Sequence, residues 1–391
     1  MKIKYLFLTI IFLTTGCWNY TELNELAIVK GISLDYEENN YVVNYMISNA
    51  SSEKSSNESS PQTAVLEGKG KTVSDAISKI KLISPKKIYI GHMLVLVISE
   101  DVAKKGISSA TDYFFRNTNS KGSFQVVIAK NSKAKDTLKI LSPLDSFPSD
   151  NIVKNLTTAE SFSAYVSNTS FVSFIRKIKD AGIEASANGI TVVGSSKKGS
   201  SEDTLKNASV DNYVRVEPLA IFKNDKLITW ANEDVSKGIN ILLDSMQELK
   251  LTIPYENGYI SLLLTSLKLT SKFKIKENIS FEFNIETNSE IEEMTIYIDT
   301  KKESTIKKLE NQVTKELNKI LNETIKFLQK NKSDAIGLGY RIYINDYYNW
   351  VKLKDNWNEQ YFPNLEVKFN IKTNLLKEED TNEGATDLQN E

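Results

Sequence analysis

The stretch "TIKKLENQVTKELNKILNETIKFLQK", residues 305–330, decides the architecture of the C-terminal half of the chain. Its apolar residues recur every three or four positions, which is typical of a helix with one buried face. These residues are at positions 306, 309, 313, 317, 320, 321, 325 and 328. Residues 259–298 instead alternate apolar and polar side chains, as in "FEFNIE", which predicts antiparallel strands. We therefore predict an antiparallel sheet packed against one long helix.

Further elements flank this pair on both sides. The pattern "LEVKFNIKTNL" at Leu365–Leu375 predicts a last strand, and Leu219–Phe222 with Leu227–Trp230 predicts a hairpin. We assign residues 210–376 to one C-terminal domain. Residues 377–391 hold six acidic residues, one lysine and no aromatic residue, which predicts a disordered acidic tail.

The N-terminal half alternates helical and strand patterns, the rhythm of a mixed α/β unit. We assign this region to residues 18–200, with a two-subdomain alternative split near 48–64 and 130–136. The expected strands are Ala27–Ile32, Tyr41–Ile47, Ile88–Ile98, Gly122–Ala129 and Gly189–Val193, and the expected helices are Thr72–Ile83, Glu100–Arg116 and most of Asn151–Lys179. The predicted fold is multi-domain α+β or mixed α/β, with an N-terminal α/β region and a C-terminal antiparallel sheet packed with a long helix.

The N-terminus has the pattern of a lipoprotein signal peptide over residues 1–16. Lys2 and Lys4 precede an apolar run of about nine residues, too short for a bilayer span of roughly 20 residues. Small residues then lead to Cys17, the only cysteine, whose thiol would carry a diacylglycerol after cleavage. Thr14 stands where the usual pattern has an aliphatic residue, and an ordinary secretory signal with an incidental cysteine is the alternative.

Overall charge argues against a nonspecific nucleic-acid binder. The chain has 49 basic and 50 acidic residues, so it offers no broad positive field for nucleic acid or anionic lipid. We therefore expect membrane attachment to come from the lipid on Cys17. About nine residues separate Cys17 from the first strand, a tether of at most roughly 30 Å.

Residues suited to catalysis are scarce. His92 is the sole histidine and lies in an apolar run, so we expect it to fill a half-buried site in a strand. One histidine and one lipid-bearing cysteine leave almost no ligands for a transition metal. The segment "EGKGKT", residues 67–72, resembles the end of a phosphate-binding loop, but Val65 stands where that loop needs glycine. We predict no catalytic residue, no cofactor and no metal, and hence no enzyme.

An aromatic cluster lies near the C-terminus. Residues 340–364 contain five tyrosines, two tryptophans and one phenylalanine. Tyrosine and tryptophan are common in protein interfaces. Trp350, Trp357 and Phe362 are therefore candidates for a partner interface, and the alternative is that they cover the core of the domain.

Five stretches in this order resemble the Ger(x)C family of spore germination lipoproteins, the C subunits of germinant receptors. They are "GCWNYTELNELAIVKGISLD" (16–35), "IGHMLVLVISEDVAKKGISSATDYFFRN" (90–117), "PLAIFKNDKLITW" (218–230), "SDAIGLGYRIY" (333–343) and "DNWNEQYFPN" (355–364). The resemblance implies a lipid-anchored, non-catalytic protein on the outer face of the spore inner membrane. It also implies assembly with an A subunit and a polytopic B subunit.

The main alternative is an extracytoplasmic solute-binding lipoprotein of a transporter. Such a protein would show two similar α/β lobes around a cleft. The change from an α/β rhythm to a sheet with a long helix favours the receptor subunit. A lipid-anchored hydrolase is a third class, and this sequence lacks the catalytic groups that a hydrolase needs.

Overall fold

A computed structural model describes residues 22–48, 63–117, 121–145, 147–206, 208–246 and 248–376. The predicted signal peptide, Cys17, the acidic tail and most of the possible subdomain split at 48–64 lie outside these residues.

The described chain forms two sheets and the helices that cover them. Its strands are β1 Leu26–Glu37, β2 Asn40–Ser48, β3 Thr63–Gly70, β4 Lys87–Tyr89, β5 Val95–Ser99, β6 Gln125–Ala129, β7 Ser186–Val193, β8 Tyr213–Lys223, β9 Lys226–Trp230, β10 Leu249–Tyr255, β11 Gly258–Ile275, β12 Ile279–Met294 and β13 Glu366–Leu375. Its α-helices are α1 Val73–Ile83, α2 Glu100–Lys105, α3 Ile107–Arg116, α4 Ala134–Thr137, α5 Pro148–Ser163, α6 Phe171–Lys179, α7 Ser196–Gly199, α8 Glu233–Leu242, α9 Glu303–Lys330, α10 Leu338–Asn345 and α11 Tyr347–Leu353.

The first sheet is mixed. Within the described residues it has nine strands in the order β3-β2-β1-β5-β6-β7-β8-β9, and β4 also pairs with β1. β1, β5, β6 and β7 run parallel, and the strands outside them on both sides are antiparallel to their neighbours. The parallel centre requires crossover connections, which the intervening helices supply.

Helices cover both faces of the parallel centre. Along β5, Leu96 and Ile98 face a core shared with α1, α2, α3 and α6, whereas Val95 and Val97 face a second core shared with α4 and α5. A strand buried on both faces reads as a continuous apolar run, which explains "VLVI" in the sequence. The predicted N-terminal α/β region is therefore confirmed as a layered structure.

Several element boundaries differ from the predictions. The expected strand Ile88–Ile98 is two short strands, β4 and β5, with His92 exposed in the turn between them. The expected helix Glu100–Arg116 is broken at Gly106, whose φ of 136° no other residue adopts readily. The helical region after residue 147 likewise divides into α5 and α6.

The second sheet has the order β10-β11-β12-β13, and α9 packs its buried face against it. The residues of α9 that were predicted to be buried are all buried. Three strands are antiparallel, and β13 joins β12 in parallel because the chain crosses over through α9 before it returns. This arrangement confirms the predicted fold class.

The two sheets share an extended contact. β8 and β9 belong to the first sheet, although the predicted division near 200–210 assigns them to the C-terminal domain. Leu219 and Ile221 of β8 belong to the core cluster that includes β10–β13 and α9. The first sheet therefore runs across residues 200–210, and the domain boundary assigned there stays a prediction.

Candidate functional site: the junction between the two sheets

The chain segments where the two sheets meet form the candidate site, which we call the junction. It consists of Gly182–Glu184 before β7, Phe222–Asn224 at the end of β8, Ser333–Gly339 at the start of α10, and Trp357–Glu359. Three of the five stretches that carry the family resemblance contribute to it, so segments far apart in sequence converge here.

Asp334 is the central buried group of the junction. Its side chain is fully buried. The backbone N–H groups of Leu338 and Gly339 donate to its carboxylate at 3.0 and 2.8 Å, and the indole N–H of Trp357 donates at 2.8 Å. Burial raises the pKa of Asp334 to about 6, while these hydrogen bonds act in the opposite direction. Asp334 thus fixes the first turn of α10 and the position of Trp357.

Glu184 is a second buried carboxylate, on the side of the first sheet. The backbone N–H of Asn224 and the side-chain amide of Asn358 each donate to it at 2.5 Å. Burial is the largest influence on its ionisation and raises its pKa to about 7, against the two hydrogen bonds. The backbone N–H of Glu184 also donates to the carbonyl of Asp334 at 2.9 Å, so the two carboxylates belong to one hydrogen-bonded unit.

Two glycines allow the segments to approach closely. Gly182 has a φ of 76°, and a Cβ atom there would lie 2.5 Å from the carbonyl carbon of Gly339. The backbone N–H of Tyr340 donates to the carbonyl of Gly182 at 2.7 Å. A side chain at position 182 would therefore push α10 away from the first sheet.

At the surface, Glu359 closes the junction with two ion pairs. It pairs with Lys223 at the end of β8 and with Lys332 at 2.8 Å after α9. The hydrogen bonds from these two lysines hold the pKa of Glu359 at about 2. Because the Glu359 side chain is exposed, the two ion pairs contribute little to the free energy of unfolding, and we assign them a role in positioning the segments.

The three predicted interface residues lie inside the C-terminal half. The exposed fractions are 3% for Trp350, 2% for Trp357 and 0% for Phe362. Their rings pack against one another, with ring centroids of Trp350 and Trp357 5.6 Å apart. This burial agrees with the core role that the sequence left open and removes these side chains from the surface. The exposed aromatic residues of the same segment are Tyr343, Tyr347 and Tyr348.

The other sequence candidates lie elsewhere. His92 is exposed and contacts Tyr89 edge to face, so the expectation of a half-buried position in a strand is wrong. The segment 67–72 ends β3, and Thr72 caps α1 through the N–H of Asp75. A Cβ atom at Gly68 would lie 2.1 Å from the carbonyl oxygen of Ala76, so this glycine lets α1 pack directly against β3. Cys17 lies outside the described residues.

The junction is built for fixed contact. Its polar groups are carboxylates that accept hydrogen bonds, amides and a tryptophan N–H, and its ion pairs are on the surface. Among the described residues, no cluster of three or more histidine, cysteine, aspartate or glutamate side chains could hold a metal ion. No helix in the described ranges is long and apolar enough to cross a membrane.

Sequence reasoning did not identify Asp334 or Glu184 as important. Asp334 lies four residues before Leu338, the first residue of α10, and the N-cap position is Gly337, so the usual capping signal did not mark it. Glu184 carried no local signal, because its partners Asn224 and Asn358 are 40 and 174 residues away along the chain.

Comparisons with known proteins agree with this architecture. Residues 19–192 match the family model "Spore germination protein N-terminal domain", and residues 217–378 match "Spore germination B3/ GerAC like, C-terminal". Spore germination protein KC of Bacillus subtilis (strain 168) is 26% identical over 375 residues, covering 93% of this chain and 92% of that protein. Spore germination protein GerQC of Bacillus cereus is 23% identical over 291 residues, covering 71% and 73%.

A solved structure shows the same fold. The crystal structure of the GerBC protein superimposes with a TM-score of 0.56 at 17% sequence identity, covering 91% of this chain and 100% of that one. With both family models matched in order along the chain, and with the fold shared over 91% of it, the protein belongs to the Ger(x)C family of spore germination proteins.

Proposed function

We propose that the protein is a lipid-anchored, non-catalytic subunit of a spore nutrient-germinant receptor. It acts by assembly with membrane-embedded A and B subunits on the outer face of the spore inner membrane. The observation that carries this proposal is the match to both family models in order along the chain. The relatives named above are spore germination proteins, and the similarity to this chain covers most of their length.

The lipid anchor is part of the same proposal. Its support is the signal-like segment before Cys17 and the position of β1, which begins at Leu26, only nine residues after that cysteine. A tether of this length keeps the first sheet within roughly 30 Å of the membrane surface. The protein would therefore meet membrane-embedded partners at close range.

A non-catalytic role is supported by the chemistry of the junction. The buried carboxylates Asp334 and Glu184 are used for holding segments together, and each accepts at least two hydrogen bonds from other parts of the chain. The solute-binding alternative requires two similar lobes. The first sheet here has a parallel centre between layers of helices, whereas the second carries one long helix, so the two halves do not resemble each other.

Affinity capture from spore membranes tests the proposal. A tagged full-length protein is extracted in mild detergent, and the co-purifying proteins are identified by mass spectrometry. We expect two further receptor subunits, at least one of them polytopic, in stable ratio to the bait. Recovery of transporter permease components instead would favour the solute-binding alternative. Capture of the bait alone, from membranes that contain the receptor, would contradict assembly.

A further inference from the structure

The parallel strands of the first sheet all begin at one edge, which we call the amino edge. Leu26 of β1 lies opposite Lys87 of β4, and further along β1 Gly31 lies opposite Val95 of β5. Val95 in turn lies opposite Gln125 of β6, and β7 continues the parallel set. The chain that leads back to Cys17 therefore leaves the sheet at the amino edge.

Large apolar side chains are exposed along this edge of the sheet. Leu82 is 86% exposed and Ile83 is 56% exposed, at the end of α1 and just before β4. Phe115 is 60% exposed at the end of α3, beside Phe114, which contacts Phe124 directly before β6. These side chains come from separate connections, and each connection leads into a strand that starts at the amino edge.

The hairpin of α10 and α11 is joined to the same edge of the sheet. It is attached to the amino edge through Gly182, which precedes β7 and accepts a hydrogen bond from the N–H of Tyr340. The α10–α11 turn, by which we mean Asp346 and the first residues of α11, presents Tyr347 and Tyr348, which are 64% and 73% exposed. Tyrosine is one of the residues that favour the interface between a bilayer and water.

Basic residues accompany the apolar ones. Residues 81–87 contain three lysines and no acidic residue, although the whole chain has a formal charge of −1. At Phe115, the ammonium group of Lys179 lies 3.7 Å from the ring centroid. At Tyr348, the ammonium group of Lys352 lies 3.9 Å from the ring centroid. The edge thus combines apolar and aromatic side chains with positive charge, and anionic lipid headgroups complement that combination.

We propose that the amino edge, with the α10–α11 turn, rests on the surface of an anionic lipid bilayer. This inference depends on the lipid anchor of the proposed function, because the anchor brings this edge to the membrane. The tether is attached at Leu26, on the edge itself, and it is at most roughly 30 Å long. Anchoring and surface contact then act on the same side of the molecule, so that the protein has one orientation on the membrane.

The near-absence of cysteine makes the test direct. Cys17 is the only cysteine, and acylation consumes its thiol, so any introduced cysteine becomes the sole free thiol of the mature protein. Leu82→Cys and Tyr348→Cys replace side chains that point into solvent, and fluorescent labels attached there report on lipid contact. The purified full-length mature protein is incorporated into vesicles of phosphatidylglycerol and phosphatidylethanolamine, some of which carry a quencher at headgroup depth.

Matched control positions lie away from the edge. Ser74 is exposed at the opposite end of α1 from Leu82, where β3 has just ended. Tyr259 is another exposed tyrosine, at 58%, near the start of β11. The other end of β11, Ile275, borders the same surface depression as Lys352 of α11. At about 3.4 Å per residue, Tyr259 is about 50 Å from that end.

We expect labels at positions 82 and 348 to be quenched several-fold more strongly than labels at 74 and 259. Equal weak quenching at all four positions, with Cys17 acylated, would overturn membrane docking and leave the anchor intact. Unmodified Cys17 in the mature protein would overturn the anchor and the docking together. A third outcome concerns position 348 alone: the lipid quencher has no effect on its label, but co-reconstituted receptor subunits protect the label from an aqueous quencher. That result would assign the α10–α11 turn to a protein partner and overturn the proposal for this part of the surface.

Discussion

Glu184 shows how much a single side chain at the junction is expected to influence stability. Burial raises its pKa to about 7 in the folded protein, from an ordinary value of 4.5. Between these values the folded state binds more protons than the unfolded state, so stability falls as the pH rises through this window. We expect the unfolding free energy to decrease by on the order of 1–3 kcal/mol from pH 4.5 to pH 7. The melting temperature, measured across this range, should fall accordingly.

The matched variant is Glu184→Gln, which keeps the shape of the side chain and removes the titration. Its melting temperature should vary less with pH over the same window than that of the parent protein. Asp334, whose pKa is raised to about 6, should retain its own smaller contribution in the variant. Parallel curves for the two proteins would show that Glu184 does not titrate in this range.

Trp357 is expected to act through the core. Its side chain is 2% exposed, and its N–H donates to the buried carboxylate of Asp334. Trp357→Ala should cost about 3–5 kcal/mol, because it opens a cavity and leaves that carboxylate with one donor fewer. Tyr347→Ala, in the same aromatic segment but 64% exposed, is the control and should change the unfolding free energy by less than about 0.5 kcal/mol.

Chemical denaturation of both variants measures these differences. If Trp357→Ala unfolds like the parent and fails only to co-purify with partner subunits, that result would support the interface role for which this residue is a candidate. The aromatic content of residues 340–364 was visible in the sequence, but the side each ring faces was not. That side depends on Gly182 and Gly339, whose close approach buries Trp350 and Trp357.

At the scale of elements, the contact between α8 and α9 depends on one glycine. A Cβ atom at Gly238 would lie 2.0 Å from the hydroxyl oxygen of Thr324. In an isolated helix, replacing glycine by alanine stabilises by up to about 1 kcal/mol. Here we expect Gly238→Ala to destabilise by about 1–3 kcal/mol, because the two helices must move apart.

A double mutant separates this clash from other effects. Thr324→Ala removes the hydroxyl group, so Gly238→Ala combined with Thr324→Ala should be less destabilised than the sum of the two single variants. Thermal unfolding of the four proteins gives the coupling free energy. Strict additivity would show that the loss at Gly238 arises elsewhere.

Elements with strong periodicity were predictable and irregular ones were not. The helix α9 was found because its apolar spacing extends over many turns, and a long pattern outweighs local exceptions. The expected strand at Ile88–Ile98 failed because an apolar run does not mark a turn within it, and Gly91–His92 forms that turn. The parallel pairing of β13 also had no sequence signal, since side chains alternate in the same way in parallel and antiparallel strands.

For the whole molecule, attachment to the membrane should depend on Cys17. The Cys17→Ala variant should leave the membrane fraction or accumulate as uncut precursor, because no thiol is available to receive the lipid. Fractionation of cells or spores with immunoblotting measures both outcomes. A mature-sized Cys17→Ala protein that stays fully bound to membranes would contradict the lipid anchor.

The crossover from β12 through α9 to β13 also sets the order in which the protein can be completed. The chain is delivered from its N-terminus, and the first sheet has all its described strands once Trp230 has emerged. The second sheet must wait for residues 366–375, which form the last strand in the described part of the chain, and until then β12 has an open edge. A ribosome or export channel that has not yet released residues 366–375 therefore holds a protein whose first sheet has all its described strands, while the free edge of β12 is exposed to premature pairing with other chains.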